Sequence, residues 1–154
     1  MLNILLPVLL SLTSTNPIKV HVENNSTIQT VESRDVTFGV KETVEEILNG
    51  QGYSPVADTL EGMDVWISID SIYSPQQMLN IIGLKWLRKD YIVQTSVCMG
   101  SSCFEGQGER RTFIFAAFLD VENNEVPLNK KAFSKALQSS LEESLSFKNK
   151  KQEN

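Results

Sequence analysis

The chain has 154 residues, of which 41% are hydrophobic and 21% are charged, the composition of one ordinary globular domain. This composition excludes collagen-like, low-complexity and fully disordered chains, and no apolar run reaches the roughly 20 residues of a membrane-spanning helix. Acidic residues outnumber basic ones by 19 to 14, which leaves a net charge of -5. That balance argues against a general nucleic-acid-binding protein, so we expect no nucleic acid partner.

The N-terminus is apolar over residues 1–12. This run suits the apolar region of a secretory signal peptide, although no lysine or arginine precedes it. A buried first strand and an arm that docks on a partner are the alternatives. We therefore divide the chain into a signal-like segment or arm at 1–15, a single domain at 16–147 and a polar tail at 148–154.

Hydrophobic spacing predicts the elements of the first half. Residues 18–22 alternate between apolar and polar, residues 28–32 return as a second strand, and an amphipathic helix follows at 40–48. A short strand at 53–57 contains a proline and therefore belongs at a sheet edge. The clearest strand is 64–70, because its apolar residues all share one face.

Two long strands dominate the second half. Residues 74–83 open with a capping pattern that contains a proline, which predicts a short helix. Strands follow at 91–97 and 113–119, each with alternate residues on one face. Gly106 and Gly108 lie between them. Gly-x-Gly is a weak phosphate-loop signal, and because no helix follows it, a bulge or a close approach of another backbone is the better interpretation.

A long amphipathic helix closes the domain. Asn129 caps it, Leu128 packs onto Phe133, and apolar residues recur every four positions to about Phe147. Its first lysines oppose the helix dipole, so packing has to hold it, unless those lysines serve an anionic partner. Short links favour antiparallel neighbours, and the fold class we expect is α+β: a two-layer sandwich, a mainly antiparallel sheet with two amphipathic helices on one face.

The two cysteines, Cys98 and Cys103, flank a Met-Gly-Ser-Ser stretch that is typical of a hairpin loop. A disulfide across so small a loop would contribute about 2 kcal/mol and would suit an oxidising compartment. Two reduced cysteines that act as small hydrophobic residues are the alternative. Neither a redox motif nor a zinc site is expected, because the spacing is wrong and the lone histidine is distant in the chain.

Basic residues cluster around an aromatic side chain near position 86. This pattern is typical of a contact with phosphate or another anionic group, whereas the acid at position 90 favours a solvated face. The lysines that begin the last helix form a second basic site. The candidate partner-binding residues are Lys85, Trp86, Arg88, Lys89, Lys130 and Lys131.

Catalytic residues are not expected. His21 is the lone histidine, and its place between two valines in a strand indicates a structural or surface role. Asp64 and Asp70 share a strand face but lie about 20 Å apart, too far for paired-carboxylate chemistry. The acidic turn from Asp58 to Asp64 is better explained as a solvated loop than as a weak cation site. We therefore expect no catalytic residue, cofactor or metal.

Four segments carry a resemblance to a known family: residues 40–48, residues 52–53 leading to 64–69, residues 104–109 and residues 132–145. Together they resemble small bacterial envelope lipoproteins of the YajG type, which are similar to the curli-secretion and penicillin-binding-protein-activator lipoproteins. The resemblance implies a binding or assembly role without catalytic residues. The chain departs from the family in that no cysteine follows its apolar N-terminus. The same arrangement also resembles proteins of cyanobacterial viruses.

These observations lead to two main functional hypotheses, beside a third and less favoured one, an enzyme with a shallow acidic site around Asp58 to Asp70. The first is a non-enzymatic protein, exported to the periplasm or cell envelope, that acts through protein–protein contacts and lies peripherally on the envelope. The second is a structural or assembly component of a bacteriophage virion, in which residues 1–15 bind a neighbouring subunit. Both of these hypotheses allow the protein to form a homo-oligomer.

Overall fold

The computed structural model describes residues 16–116 and 125–151, with side chains of the last helix as far as Ser146. The predicted signal-like segment at 1–15 and the predicted strand residues 117–119 lie outside this part. The elements are β1 (Asn16–Asn24), β2 (Thr30–Val31), β3 (Arg34–Asp35), α1 (Val40–Gly50), β4 (Tyr53–Pro55), β5 (Met63–Tyr73), β6 (Gln76–Ile81), β7 (Leu84–Met99), β8 (Ser102–Phe115) and α2 (Lys130–Lys151).

The main sheet has six strands in the order β4-β1-β5-β7-β6, and β8 pairs with the other edge of β7. The α+β class is confirmed, but the predicted mainly antiparallel sandwich is only partly right, because the sheet is mixed and curled. Strand β1 runs parallel to both β4 and β5. The reason is the long connection through α1, which carries the chain back to the end where β1 begins. The predicted second strand shrinks to β2, which forms a separate hairpin with β3.

Strand β7 organises the sheet. Its C-terminal half pairs with β5, its N-terminal half pairs with β6, and β8 follows its opposite side along almost its whole length. The predicted short helix at 74–83 is wrong, because these residues form β6. The Ser74 hydroxyl donates to the carbonyl of Asp90 instead of capping a helix, and the Asp90 amide donates to the carbonyl of Pro75. Cross-strand pairing with β7 therefore outweighs the local capping pattern.

The core lies between the sheet and the two helices, which cover one face. Alternate residues of β7 are buried there, including the predicted set from Tyr91 to Val97. The predicted cap of α2 is confirmed, since the Ala132 amide donates to the side-chain oxygen of Asn129. The buried residues of α2 include Phe133, Ala136, Leu137, Leu141 and Leu145. Burial of this apolar stripe outweighs the unfavourable lysines at the helix start.

The backbone of α2 passes directly over β8 at two glycines. A Cβ atom at Gly108 would lie 1.8 Å from the carbonyl oxygen of Ala136, and one at Gly106 would lie 2.1 Å from that of Ser140. The Ser140 hydroxyl donates to the carbonyl of Gly106 at 2.9 Å and contacts the hydroxyl of Thr95 at 2.7 Å. Of the two alternatives predicted at these glycines, a bulge or a close backbone approach, the close approach is therefore confirmed.

Candidate binding surface

One face of the sheet is left uncovered by α1 and α2, and we call it the open face. It is formed by alternate side chains of β1, β5, β7 and β8, because the residues between them point into the core. Among the described residues, no helix has the length and apolar character needed to cross a membrane. The open face has an apolar, basic end and a more polar end, and these differ in chemistry.

The apolar end carries a cluster that we call the aromatic–arginine patch: Trp86, Arg88, Arg111, Phe113 and Phe115. Trp86 lies directly opposite Phe115 and Arg88 opposite Phe113 in the pairing of β7 with β8. The rings of Trp86 and Phe115 meet edge to face, with centroids 5.2 Å apart. The Phe113 side chain is 53% exposed, so a large apolar surface faces solvent here.

A single carboxylate holds both arginines of the patch. The Asp90 carboxylate accepts from Nη2 of Arg88 at 2.5 Å and from Nε of Arg111 at 2.9 Å. The hydrogen bond from Arg88 is the main reason why the pKa of Asp90 lies below its ordinary value, and burial opposes this shift. Asp90 therefore fixes the direction of two guanidinium groups on the open face.

The candidate partner-binding residues do not form one surface. Trp86 and Arg88 lie on the open face, whereas Lys85 and Lys89 point to the opposite face. Lys89 is buried, its ammonium donates to the carbonyl of Val126, and burial lowers its pKa. Lys130 and Lys131 begin α2, a different part of the molecule. The binding role of each residue stays a prediction.

Arg111, Phe113 and Phe115 were not among the binding residues predicted from the sequence. The alternation of Phe113 and Phe115 was visible in the sequence, and it was interpreted as a shared strand face. An apolar strand face is normally assigned to a core, and nothing local shows which side of a sheet the helices will cover. Only the assembled sheet shows that these rings face outward.

The polar end of the open face contains His21. Its Nε2 atom lies 2.8 Å from the Asp64 carboxylate, which also accepts from Lys19 at 3.2 Å, and its ring stacks on Trp66 at 4.4 Å between centroids. The hydrogen bond with His21, followed by that with Lys19, lowers the pKa of Asp64. Within residues 16–116 and 125–146, no cluster of three or more His, Cys, Asp or Glu residues is arranged to hold a metal ion.

A disulfide between Cys98 and Cys103 closes the hairpin of β7 and β8, as the sequence predicted, with the Cα atoms 4.0 Å apart. Met99 pairs with Ser102, so the turn consists of Gly100 and Ser101 alone. Gly100 has φ of 60°, a left-handed conformation that suits the first position of a two-residue hairpin turn.

Comparison with known proteins gives structural neighbours only. No family model and no curated protein matches the sequence. A minor lipoprotein from Acinetobacter baumannii is 10% identical, with 89% of each chain covered and a TM-score of 0.40. Rare lipoprotein B from Shewanella oneidensis is 15% identical, with 90% of this chain and 100% of that chain covered and a TM-score of 0.42. A hypothetical protein from Chlamydia trachomatis is 9% identical over 61% of this chain and 73% of that chain, with a TM-score of 0.31.

The first two neighbours are bacterial lipoproteins, the broad class that the sequence resembles. At such identities and TM-scores the likeness carries neither a function nor the role of any residue over to this chain.

Proposed function

We propose that this protein is a non-enzymatic, envelope-associated binding protein that contacts a protein partner through the aromatic–arginine patch. The observation that carries the proposal is the patch itself. Three aromatic side chains and two arginines lie together on a sheet face that neither helix covers. Large exposed apolar clusters of this kind mark interaction sites on soluble domains.

The composition and rigidity of the patch favour a protein as its partner. Tryptophan and arginine are enriched among the residues that dominate protein–protein binding energies. Arg88 and Arg111 are already held by Asp90 in the free chain. Less side-chain freedom is therefore lost when a partner binds, and more of the contact energy appears as affinity.

The disulfide supports an exported location. A disulfide persists in oxidising compartments such as the periplasm and is rare in the cytosol. The closed hairpin of Cys98 and Cys103 therefore agrees with the signal-like segment predicted at residues 1–15. The virion hypothesis depends on that segment as an arm, which lies outside the described residues, and it stays a prediction.

Site-specific crosslinking tests the proposal. A photoreactive phenylalanine analogue at position 113 should capture one defined protein in native cells, and fractionation should recover the complex from the envelope or periplasm. Adding Arg111→Gln should reduce the capture. The matched control carries the photoreactive group at Phe38, an exposed ring outside the open face. It should not capture the protein that is captured from position 113. Equal capture at both positions, or recovery from the cytosol with two free thiols, would contradict the proposal.

A further inference from the structure

The turn between β6 and β7 contains an apolar residue and is flanked by apolar residues. Ile81 pairs with Leu84, so the turn consists of Ile82 and Gly83 alone, and we call residues 81–84 the apex. Ile82 has φ of 54° and Gly83 has φ of 74°. The Ile82 side chain is 97% exposed, and Ile81 and Leu84 beside it are exposed as well.

Isoleucine at position 82 lowers the stability of the fold. A turn with two positive φ angles is normally built from Asn-Gly or Asp-Gly, because a β-branched side chain is strained in the left-handed conformation. Burial elsewhere in the molecule often compensates such strain, but Ile82 packs on almost nothing. Strain without compensation inside the fold points to a contact outside it.

The charge around the apex identifies the kind of surface it fits. The hairpin from Gln76 to Lys89 has three basic residues and no acidic one. Lys89 is buried and Arg88 is paired with Asp90, so Lys85 is the basic residue of the hairpin that can meet a headgroup. Lys85 follows the apex directly on the strand, and its side chain is exposed. An exposed lysine near a membrane surface is attracted to anionic lipid headgroups.

The order of residues along the hairpin matches the layers of a bilayer. The apolar apex comes first, Lys85 and Trp86 follow, and Arg88 is next. Trp86 lies about 7 Å behind Leu84 at the usual rise of a strand. Apolar groups of peripheral proteins enter the bilayer boundary by about 5–10 Å, and tryptophan and lysine favour the headgroup level.

From the strained, exposed apex and the exposed lysine beside it we infer that the β6–β7 hairpin inserts its apex into the surface of an anionic lipid bilayer. The inserted residues are Ile81, Ile82 and Leu84, and Lys85 contacts headgroup phosphates. Arg111 and Phe113, which lie farther from the apex, stay available to a protein partner. This inference goes beyond the proposed function, and its test does not depend on the partner.

Vesicle sedimentation of the purified protein tests the inference, with vesicles of phosphatidylcholine alone or mixed with phosphatidylglycerol. The protein should sediment with the anionic vesicles, less so at high salt. Ile82→Asn should weaken partitioning by about 10- to 100-fold, the effect of withdrawing one large aliphatic side chain from hydrocarbon. The same variant should fold at least as stably, because Asn-Gly is the favoured turn. Leu60→Asn removes a side chain that is 57% exposed on a distant loop and should leave partitioning unchanged.

Three results would overturn the inference: no binding to anionic vesicles, equal binding by Ile82→Asn and the parent protein, or equal binding to neutral vesicles. Loss of partner capture or of self-association in Ile82→Asn, without vesicle binding by the parent, would make the apex a protein contact instead. A Phe113→Thr variant separates the two proposals, because it should keep vesicle binding and lose the partner.

Discussion

One two-residue turn precedes strand β7 and another follows it, and the two turns are built from different kinds of residue. At its C-terminal end, Gly100 takes the left-handed position, and the Cys98–Cys103 disulfide closes the strands directly behind it. At its N-terminal end, Ile82 occupies the left-handed position and exposes its side chain to solvent. The first turn has the residues that stability favours, whereas the second has a residue that stability alone would not select.

The same contrast continues into the packing beneath the strands. Next to the disulfide, β7 and β8 lie under α2, and Gly106 and Gly108 let the helix backbone come close. Next to the apex, the described residues form a second, smaller cluster with Leu87 and Ala116 at its centre. One end of the hairpin pair therefore anchors the fold, and the other end is left free to present side chains.

The largest expected effect lies at the anchored end. Gly108→Ala should lower the free energy of unfolding by about 3 kcal/mol or more, because the added Cβ would overlap the carbonyl of Ala136 and the helix backbone would have to move. Urea denaturation measures the loss. Gly50→Ala is the matched control, since no atom lies within 4 Å of its added Cβ, and it should change stability by less than about 1 kcal/mol. Similar losses for both variants would refute the close approach of α2.

The second-largest change in stability is expected on removal of the disulfide. Replacing both cysteines, Cys98→Ser with Cys103→Ser, should lower the free energy of unfolding by about 2 kcal/mol, because the unfolded chain gains freedom when its small loop is opened. Denaturation with and without a reductant checks this. The parent protein should weaken in reductant to the level of the variant, which should not respond. If the reductant leaves the stability of the parent protein unchanged, Cys98 and Cys103 are thiols rather than a disulfide.

A smaller change of opposite sign is expected at the apex. Ile82→Asn should raise the free energy of unfolding by about 1 kcal/mol, because asparagine tolerates the left-handed conformation that strains isoleucine. At the other turn, Gly100→Val should lower it, since a β-branched side chain would enter the same conformation. Thermal denaturation of both variants measures the two signs. A loss of stability in Ile82→Asn would mean that the side chain packs on the fold after all.

The smallest effect concerns the carboxylate under the aromatic–arginine patch. Arg88, then Arg111, lowers the pKa of Asp90 in the folded chain. The contribution of Asp90 is therefore fully present above the unfolded pKa of about 3.9 and is lost as the pH falls through the lower folded value. Asp90→Asn should be less stable than the parent at neutral pH, and the difference should shrink in acid. Unfolding curves across this range check the trend, and a difference that grows in acid would contradict it.

Much of the fold was accessible from local patterns. The apolar stripe of α2, the alternation of β7 and the cap at Asn129 each depend on residues near one another in the chain, and all three agree with the structure. The two cysteines were paired for the same reason, because they flank a short hairpin loop, although the turn has two residues rather than the predicted four. Residues 74–83 were assigned wrongly, since the capping pattern there competes with pairing to a strand that follows it.

The sequence by itself determined the α+β class, the apolar stripes of both helices and the pairing of the two cysteines, and it allowed a bulge or a close backbone approach at Gly106 and Gly108. Tertiary structure alone decided that β1 lies parallel to β5, that Lys89 is buried while Arg88 meets Asp90, and that Phe113 faces solvent. The physical reason is the range of the interactions. Helix periods, turns and caps act over a few residues, whereas strand order and the choice of covered face depend on which distant segments pack together.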